Sequence, residues 1–278
     1  MNHKPMLAYP VSSKPIDYSK PVFIQPKLDG VRCLIQYDSG VVTAYSRTGK
    51  VWKNIEHITL NLYKFFDKHP SVVLDGELYN HDFKDDFEQI ISMVRKTKPT
   101  DEARAKSRDH VQFHCYDFVN KKMKFSTRDK WLLSNLQKSY CVKHVPTVQM
   151  TSEEGARLTH AVNLKAGYEG SIVRIDTPYQ CKRSHSLRKF KDFHDSEAIL
   201  VNWVEGKGKR KGTIGKFIAI DFEGNSFGMP VMDNFKYLQD NFKNMQQWLG
   251  KTATFTYFER TKANSYRHPL FKCIRDYE

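Results

Sequence analysis

A lysine and an arginine flank a tight turn near the start of the chain, in the run Lys27-Leu28-Asp29-Gly30-Val31-Arg32. A hairpin with this turn would present the Lys27 amine and the Arg32 guanidinium on the same side. An amine is a covalent nucleophile only after it has lost its proton, and nearby cations lower its pKa because they disfavour the charged form. The run predicts a nucleophilic lysine; the alternative is a surface lysine beside a β-turn.

Five further short motifs follow in a fixed order. They are Ser46-Arg47-Thr48-Gly49, Asp75-Gly76-Glu77, Cys115-Tyr116-Asp117-Phe118, Glu169-Gly170-Ser171-Ile172-Val173-Arg174 and Lys189-Phe190-Lys191. In order and spacing, the six motifs resemble those of the ATP-dependent DNA ligases of the covalent nucleotidyltransferase superfamily, close to the short bacteriophage-type enzymes with two domains. Each motif is weak alone, and their shared order carries the resemblance.

The resemblance implies a role for each motif. Lys27 would attack the α-phosphate of ATP and become Lys-AMP, with Arg32, Lys189 and Lys191 as the other catalytic residues. Arg47 would hold the ribose or the phosphates at a DNA nick. The residues implied to bind ATP are Gln25, Lys27, Arg32, Arg47, Glu77, Tyr116, Glu169, Arg174, Lys189 and Lys191.

The base and metal contacts follow from the same resemblance. Tyr116 would stack on adenine where the family usually has Phe, and Phe113 is the other candidate. Gln25 lies two residues before Lys27, so it shares the lysine's face of an extended strand, where an amide can pair with adenine. Glu77 and Glu169 would hold Mg²⁺, with Mn²⁺ as a substitute, because hard cations prefer carboxylate oxygens. For Glu77 the alternative is an ion pair with a neighbouring arginine.

Two motifs depart from the family pattern. The motif that begins at Glu169 ends in Arg174, where these ligases usually have Lys, so the contact to the nucleotide is expected to differ. The family's R-x-D-K motif, which helps to orient the pyrophosphate leaving group, is reduced to Arg275-Asp276 at the end of the sequence. Arg275 is the candidate for that role.

Charge and cysteine content restrict the partner and the compartment. The 278 residues include 45 Lys and Arg against 31 Asp and Glu, a net charge of +14, which indicates nucleic acid before a membrane surface. A basic turn predicted to contact DNA contains Lys207, Lys209, Arg210 and Lys211. Five cysteines without a CxxC pair indicate reduced thiols. No apolar run is long enough to span a membrane, so the expected location is the cytoplasm, of a host cell if the gene is viral.

The pattern of elements changes near Lys191. Before it, strand-like and helix-like segments alternate, with residues 95–110 as a surface loop; after it, short strands and one helix over 232–249 are typical of a small OB-type barrel, although an SH3-like barrel fits the same periodicity. We expect an α+β fold. Residues 1–191 would form an ATP-grasp-like adenylation (nucleotidyltransferase) domain of antiparallel sheets with flanking helices, as the resemblance implies, and residues 192–278 an OB-fold β-barrel.

The activity implied is that of a monomeric ATP-dependent DNA ligase. It would seal 5′-phosphate/3′-hydroxyl nicks in duplex DNA through Lys27-AMP and a DNA-adenylate, in replication, repair or recombination. One alternative is an RNA ligase or an RNA-capping guanylyltransferase of the same superfamily. Another is a non-catalytic OB-fold protein that binds nucleic acid, which would explain the charge of +14 but not the ordered motifs.

Overall fold

The computed structural model describes residues 3–232, 235–261 and 263–275. The chain divides into two compact units, Met1–Lys191 and Asp192–Glu278. In chain order, the first unit contains β1 (Leu7–Pro10), β2 (Val22–Pro26), β3 (Val31–Asp38), β4 (Val41–Ser46), α1 (Glu56–Asn61), α2 (Tyr63–Lys68), β5 (Val73–Tyr79), α3 (Phe87–Val94), α4 (Asp101–His110), β6 (Gln112–Phe118), α5 (Phe125–Asn135), β7 (Val142–His144), β8 (Val148–Met150), α6 (Glu153–Lys165), β9 (Ser171–Ile175) and β10 (Arg183–Phe190).

The first unit is built on two five-stranded sheets. The first sheet has the strand order β1-β10-β9-β2-β8, and the second has the order β4-β3-β5-β6-β7. Neighbouring strands are antiparallel except for the pairs β1–β10 and β6–β7, which are parallel. Strand β2 is buried along its whole length, and β5 along most of it, because each has a strand on both sides.

The main core of the first unit packs the second sheet against α1, α2, α3 and α5. Ile55, Ile58 and Leu62 recur at helical spacing and are 0–1% exposed, so this stripe faces the sheet. A smaller cluster joins the first sheet to α6, through Ile24 on β2 and Ala156 on the helix. These two clusters fix the position of each sheet, and so of the residues that lie between the two sheets.

The predicted hairpin at Asp29-Gly30 is wrong. Strands β2 and β3 do not pair with each other; β2 lies between β8 and β9, and β3 lies between β4 and β5. The turn instead carries the chain from one sheet to the other. Each of these strands already has a hydrogen-bonded neighbour on both sides, so neither has a free edge with which to pair with the other.

The segment 95–110, predicted to be a surface loop, contains helix α4. Thr100 caps this helix by accepting a hydrogen bond from the Ala103 backbone N–H at 3.3 Å, and Asp101 and Glu102 lie in its first turn. These are favourable N-terminal residues, since they satisfy free N–H groups and complement the helix dipole. The helix is mostly exposed, so it lacks the apolar periodicity on which the prediction relied.

In its described residues, the second unit is a five-stranded antiparallel sheet with one α-helix. It contains β11 (His194–Glu205), β12 (Ile214–Asp221), β13 (Ser226–Pro230), α7 (Phe235–Phe242), β14 (Thr252–Tyr257) and β15 (Leu270–Ile274). The strand order is β13-β12-β11-β14-β15, and the core includes Phe217, Leu238 and Phe255. The helix predicted over 232–249 is α7 followed by a 3₁₀ turn, Met245–Trp248; residues 233 and 234 lie outside the described residues. Within the described ranges, no helix has the length and apolar character needed to cross a membrane.

Candidate active site

Lys27 lies at the point where the chain leaves β2 for the second sheet. Its backbone N–H donates to the Gly170 carbonyl at 2.9 Å, and the Glu169 N–H donates to the Lys27 carbonyl at 3.1 Å. These two bonds extend the pairing of β2 with β9 beyond the ends of both strands. The backbone therefore fixes Lys27 and Glu169 side by side.

Glu169 is shared by two lysines. One of its carboxylate oxygens contacts the Lys27 ammonium, and the other contacts the Lys191 ammonium. Glu169 is 4% exposed and Lys191 9%, whereas Lys27 keeps 20% of its side chain exposed. The nucleophile candidate is thus held by a buried carboxylate and remains reachable from solvent.

Lys189 adds a further positive charge near Lys27. Burial, and then the charge of Lys27, lower the pKa of the Lys189 ammonium. On β10, Lys189 pairs with Ile172, which pairs on its other side with Gln25 of β2. The three neighbouring strands β2, β9 and β10 therefore bring Gln25, Lys189 and the residues around Lys27 to one region of the first sheet.

The second sheet contributes Arg32, which is neutralised by Asp75. The Arg32 guanidinium donates to both oxygens of the Asp75 carboxylate, at 2.6 and 2.5 Å. The Tyr179 hydroxyl donates to Asp75 at 2.7 Å, and the Met6 carbonyl accepts from Arg32 at 3.1 Å. Sequence reasoning missed Tyr179 and Met6, since neither belongs to a motif.

Glu77 lies opposite Arg32 on the neighbouring strands β5 and β3, but the two side chains form no ion pair. Among the residues that the structure describes, Glu77 forms no ion pair, which argues against the alternative of a structural Glu–Arg pair. It accepts a hydrogen bond from the Tyr116 hydroxyl at 3.2 Å. Burial raises the pKa of the Glu77 carboxyl to about 7, against the lowering effect of Arg32 and Lys27. Burial thus favours the protonated form of this carboxyl.

The Tyr116 ring lies close to two guanidinium groups. The Arg32 guanidinium carbon is 5.1 Å from the ring centroid, and that of Arg174 is 5.4 Å away. Tyr116 is half-buried, whereas Phe113, the other candidate for stacking, is 0% exposed and packs in the core. Of the two aromatic residues, Tyr116 is the one that a base can reach.

Gln25 and Arg174, on the first sheet, form hydrogen bonds with Tyr116 and Asp117 of the second sheet. The Gln25 amide donates to the Tyr116 carbonyl at 3.2 Å and to the Thr147 hydroxyl at 2.9 Å. Its oxygen accepts from Arg174 at 2.6 Å. Arg174 also donates to Asp117 at 2.7 Å, and Asp117 accepts from Arg128 as well. All four of these charged or amide side chains are at most 4% exposed.

A basic groove of about 660 Å³ lies against Arg32 and Glu77. Arg47, which follows β4, is exposed on its wall. Four more cations line it that no motif had indicated: Lys50, Lys53, Arg95 and Lys96. They come from two separate segments, so only the fold brings them together.

The predicted DNA contacts of the basic turn belong to the second unit. Lys207, Lys209 and Lys211 are exposed around the 3₁₀ turn Gly208–Arg210, whereas Arg210 donates to the Val231 carbonyl at 2.9 Å. Arg275 donates to Thr254 at 2.7 Å and pairs with Glu197 at 2.8 Å. The rest of that motif, Asp276 to Glu278, lies outside the described residues.

Two carboxylates, Glu77 and Glu169, are candidates for holding a divalent cation, and an ion at Glu169 would replace its contacts to Lys27 or Lys191. Within the described ranges, no group of three or more His, Cys, Asp or Glu side chains is close enough to hold a metal by itself. Mg²⁺ suits such a place, because it commonly binds through one or two carboxylates and completes its octahedron with water and phosphate oxygens. The residues therefore fit an ion that arrives with a nucleotide.

Comparison with known proteins gives a consistent result. Residues 5–191 match the family model of the ATP-dependent DNA ligase domain. A DNA ligase of African swine fever virus (isolate Tick/South Africa/Pretoriuskop Pr4/1996) is 31% identical over 207 residues, which cover 69% of this chain and 46% of the viral protein. A DNA ligase of Halobacterium salinarum is 25% identical over 227 residues, 73% of this chain and 39% of its own. The chain thus spans less than half the length of these curated relatives.

Solved structures show the same fold over the whole chain. A structure from a study of DNA binding with a minimal scaffold in Lig E DNA ligases superposes with a TM-score of 0.78 and 22% identity, covering 99% of this chain and 100% of that one. The ATP-dependent DNA ligase of bacteriophage T7, in complex with ATP, gives a TM-score of 0.56 and 18% identity, covering 99% and 98%. The predicted fold class, a nucleotidyltransferase domain followed by an OB domain, is confirmed.

Proposed function

This chain belongs to the ATP-dependent DNA ligase family, and from that premise we propose that it seals 5′-phosphate/3′-hydroxyl nicks in duplex DNA with ATP. The observation that carries the proposal is the cluster of Lys27, Glu169 and Lys191, in which a reachable amine lies among further cations at a buried carboxylate. Nucleotidyl transfer depends on positioning and on neutralising phosphate charge, and this cluster supplies both.

The first step would be formation of a covalent adenylate on Lys27. The Lys27 amine, after losing its proton to solvent, attacks the α-phosphorus of ATP. A nitrogen–phosphorus bond forms, the bond to the bridging oxygen breaks, and pyrophosphate leaves. Lys189 and Lys191 favour this step in two ways: as neighbouring cations they favour the neutral amine, and they neutralise the phosphates.

The nucleotide would lie between the two sheets of the first unit. Tyr116 is the half-buried ring available for adenine. Both amide hydrogens of Gln25 are engaged within the protein, so its contact to adenine would use the second lone pair of its oxygen to accept from the amino group. Glu77 and Glu169 would hold Mg²⁺, or Mn²⁺ in its place, and such an ion neutralises charge on the phosphate oxygens.

The second and third steps would take place on DNA. AMP passes from Lys27 to the 5′-phosphate at the nick, and the 3′-hydroxyl then attacks that phosphate and releases AMP. Arg47 and the basic groove would hold backbone phosphates near Arg32, and the basic turn of the second unit would hold the duplex. We propose that the protein acts as a monomer in the cytoplasm, of a host cell if it is virus-encoded, in replication, repair or recombination.

The test is sealing of a 5′-phosphorylated nick in duplex DNA, followed on a denaturing gel with ATP, GTP and NAD in separate reactions. We expect sealing with ATP alone, and no labelled adduct on Lys27→Ala. If nicked RNA is sealed in place of DNA, or if GTP is the nucleotide taken up, the enzyme is an RNA ligase or a guanylyltransferase. DNA binding with no adduct on the unaltered protein would identify a non-catalytic binding protein.

A further inference from the structure

Two residues that depart from the family pattern lie in contact with each other. Tyr116 stands where the family usually has Phe, and Arg174 where it usually has Lys. The guanidinium of Arg174 lies 5.4 Å from the centroid of the Tyr116 ring. The two residues come from different sheets, β6 and β9, so their contact is made by the fold and not by local sequence.

We propose that Arg174 is a positioning residue that fixes the Tyr116 ring for base stacking, without itself contacting the nucleotide. This inference rests on the proposed function. Arg174 is 4% exposed, and both of its polar contacts among the described residues are inside the protein, to the Gln25 oxygen at 2.6 Å and to Asp117 at 2.7 Å. A side chain that is buried and hydrogen-bonded within the protein in this way can hold its neighbours in position.

Arg174 restrains Tyr116 in three ways. Its guanidinium lies over the ring, with its carbon 5.4 Å from the centroid, and also over the Phe125 ring at 4.7 Å. Through Gln25, whose amide donates to the Tyr116 carbonyl at 3.2 Å, it holds the backbone of the same residue. Through Asp117 it holds the next residue of the strand. The ring's outer end is fixed separately, by the bond from its hydroxyl to Glu77 at 3.2 Å.

This arrangement needs an arginine. The planar guanidinium presents several donors in a fixed fork, so it can bind Gln25 and Asp117 at once while its face lies on a ring. A lysine at this position has a single ammonium group, which would stay with the charged Asp117 and leave the Gln25 oxygen. Arg174→Lys therefore keeps the charge and removes the link to Tyr116.

Arg128 is a matched control. It also pairs with Asp117, at 2.7 and 3.0 Å, and is 1% exposed, but it contacts neither Gln25 nor the Tyr116 ring among the described contacts. Arg128→Lys disturbs the same buried carboxylate with the same chemical change. Any general loosening of the site should appear in both variants, whereas loss of the Tyr116 restraint should appear only in Arg174→Lys.

The experiment measures binding of α,β-methylene-ATP by calorimetry, since this analogue cannot transfer its nucleotide. We expect Arg174→Lys to weaken binding about tenfold, the equivalent of one hydrogen bond to a charged group, and Arg128→Lys to leave the dissociation constant within about twofold. In a Tyr116→Ala background, Arg174→Lys should have no further effect, because the ring it positions is gone.

Three outcomes would overturn the inference: unchanged binding by Arg174→Lys, equal losses in both lysine variants, or independent losses from Tyr116→Ala and Arg174→Lys that multiply. Melting temperatures of the unaltered protein and the four variants show which are folded. If Arg174→Lys does not fold, Gln25→Glu tests the same link, because it keeps the oxygen that accepts from Arg174 and would accept from adenine but loses the donor to the Tyr116 carbonyl. Because the analogue reports binding alone, failure of the unaltered protein to form Lys27-AMP from ATP would overturn the proposed function and leave this test intact.

Discussion

Glu169 is the residue on which the candidate nucleophile depends most directly. Its buried carboxylate contacts both Lys27 and Lys191, so replacing it leaves two ammonium groups close together without their common counter-charge. Loss of this charge favours the neutral Lys27 amine, but it also releases both lysines from their fixed positions and removes a candidate metal carboxylate. We therefore expect Glu169→Gln to reduce formation of the covalent adenylate by about a hundredfold.

The measurement for Glu169→Gln is uptake of labelled AMP in a single turnover. Glu153→Gln provides the control, because Glu153 forms an exposed ion pair with Arg157 on α6, and exposed pairs of this kind contribute little. A Glu169→Gln protein that adenylates at the unaltered rate would show that Lys27 does not need this carboxylate.

The buried Glu77 carboxyl makes the stability of the folded protein depend on pH. Burial raises the pKa of its carboxyl from 4.5 to about 7. Between these values the folded state holds a proton that the unfolded chain has released, so this contribution to stability is present below the lower value and is lost as pH rises towards the upper one. In EDTA, the melting temperature of Glu77→Gln relative to the unaltered protein should therefore increase from pH 5 to pH 8.

The comparison with Glu77→Gln isolates this one group. His114, opposite Glu77 on β6, has a pKa lowered by burial to about 4, and it changes stability with the opposite sign over its own range. Since His114 is present in both proteins, its effect cancels in the difference. A difference in melting temperature that stays constant across this pH range would contradict the raised pKa.

At the residue scale, the sequence was informative where a motif combines a reactive or charged side chain with residues that restrict the backbone, such as a turn. Lys27, Glu77, Tyr116, Glu169 and Lys191 were all singled out by pattern, and the fold brings them to one unit. The residues that hold them were not predictable. Met6 and Tyr179 reach the site through contacts to Arg32 and Asp75, which lie 26 and 104 residues away along the chain, and no local spacing encodes such contacts.

At the element scale, the turn at Asp29-Gly30 shows why pairing is harder to predict than strands. The strands on either side were predicted, but the local sequence favours a hairpin, whereas the observed partners are distant segments of the chain. Likewise, α4 lacks an apolar stripe, so its sequence predicts a loop, and its cap at Thr100 was not recognised. Local signals predict elements; the choice of partner depends on burial across the whole unit.

Strand β5 depends on a glycine at its centre. A Cβ added at Gly76 would lie 2.5 Å from the His114 carbonyl oxygen and 2.5 Å from the Phe113 ring, both on the neighbouring strand β6. We expect Gly76→Ala to push these strands apart and to lower the free energy of unfolding by about 2–3 kcal/mol, as overpacking in a core does. Urea denaturation followed by circular dichroism measures this change.

Gly228→Ala is the control for this strand. Gly228 lies on β13, and the nearest atoms to its added Cβ belong to the flexible Lys216 side chain at 3.3 Å. It should be tolerated, with a change well below that of Gly76→Ala. Equal destabilisation by the two substitutions would mean that loss of glycine in a strand, and not the contact with β6, is the cause.

For the whole molecule, the distribution of charge separates the two units. The last 87 residues carry 13 Lys and Arg against 11 Asp and Glu, so +12 of the net charge of +14 belongs to the first 191. The second unit has a nearly balanced charge, yet it concentrates three exposed lysines, Lys207, Lys209 and Lys211, at one turn. This unit would therefore bind DNA through the concentration of lysines at this turn and not through its net charge.

This argument predicts the salt dependence of binding. Each lysine that contacts a backbone phosphate adds about 0.9 to the slope of log affinity against log salt concentration. Removing Lys207, Lys209 and Lys211 together should reduce that slope by up to about 2.7 and weaken binding to nicked duplex DNA at low salt. Fluorescence anisotropy over a range of salt concentrations measures both quantities.

The matched control removes the same charge elsewhere. Lys64, Lys68 and Lys138 are exposed lysines of the first unit that do not line the basic groove, so replacing all three with alanine lowers the net charge by the same amount. If the turn contacts phosphates, the control keeps the slope of the unaltered protein, because only counterions released at a contact enter it. If both triple variants lose the same slope, overall charge drives association and the basic turn has no specific part in binding DNA.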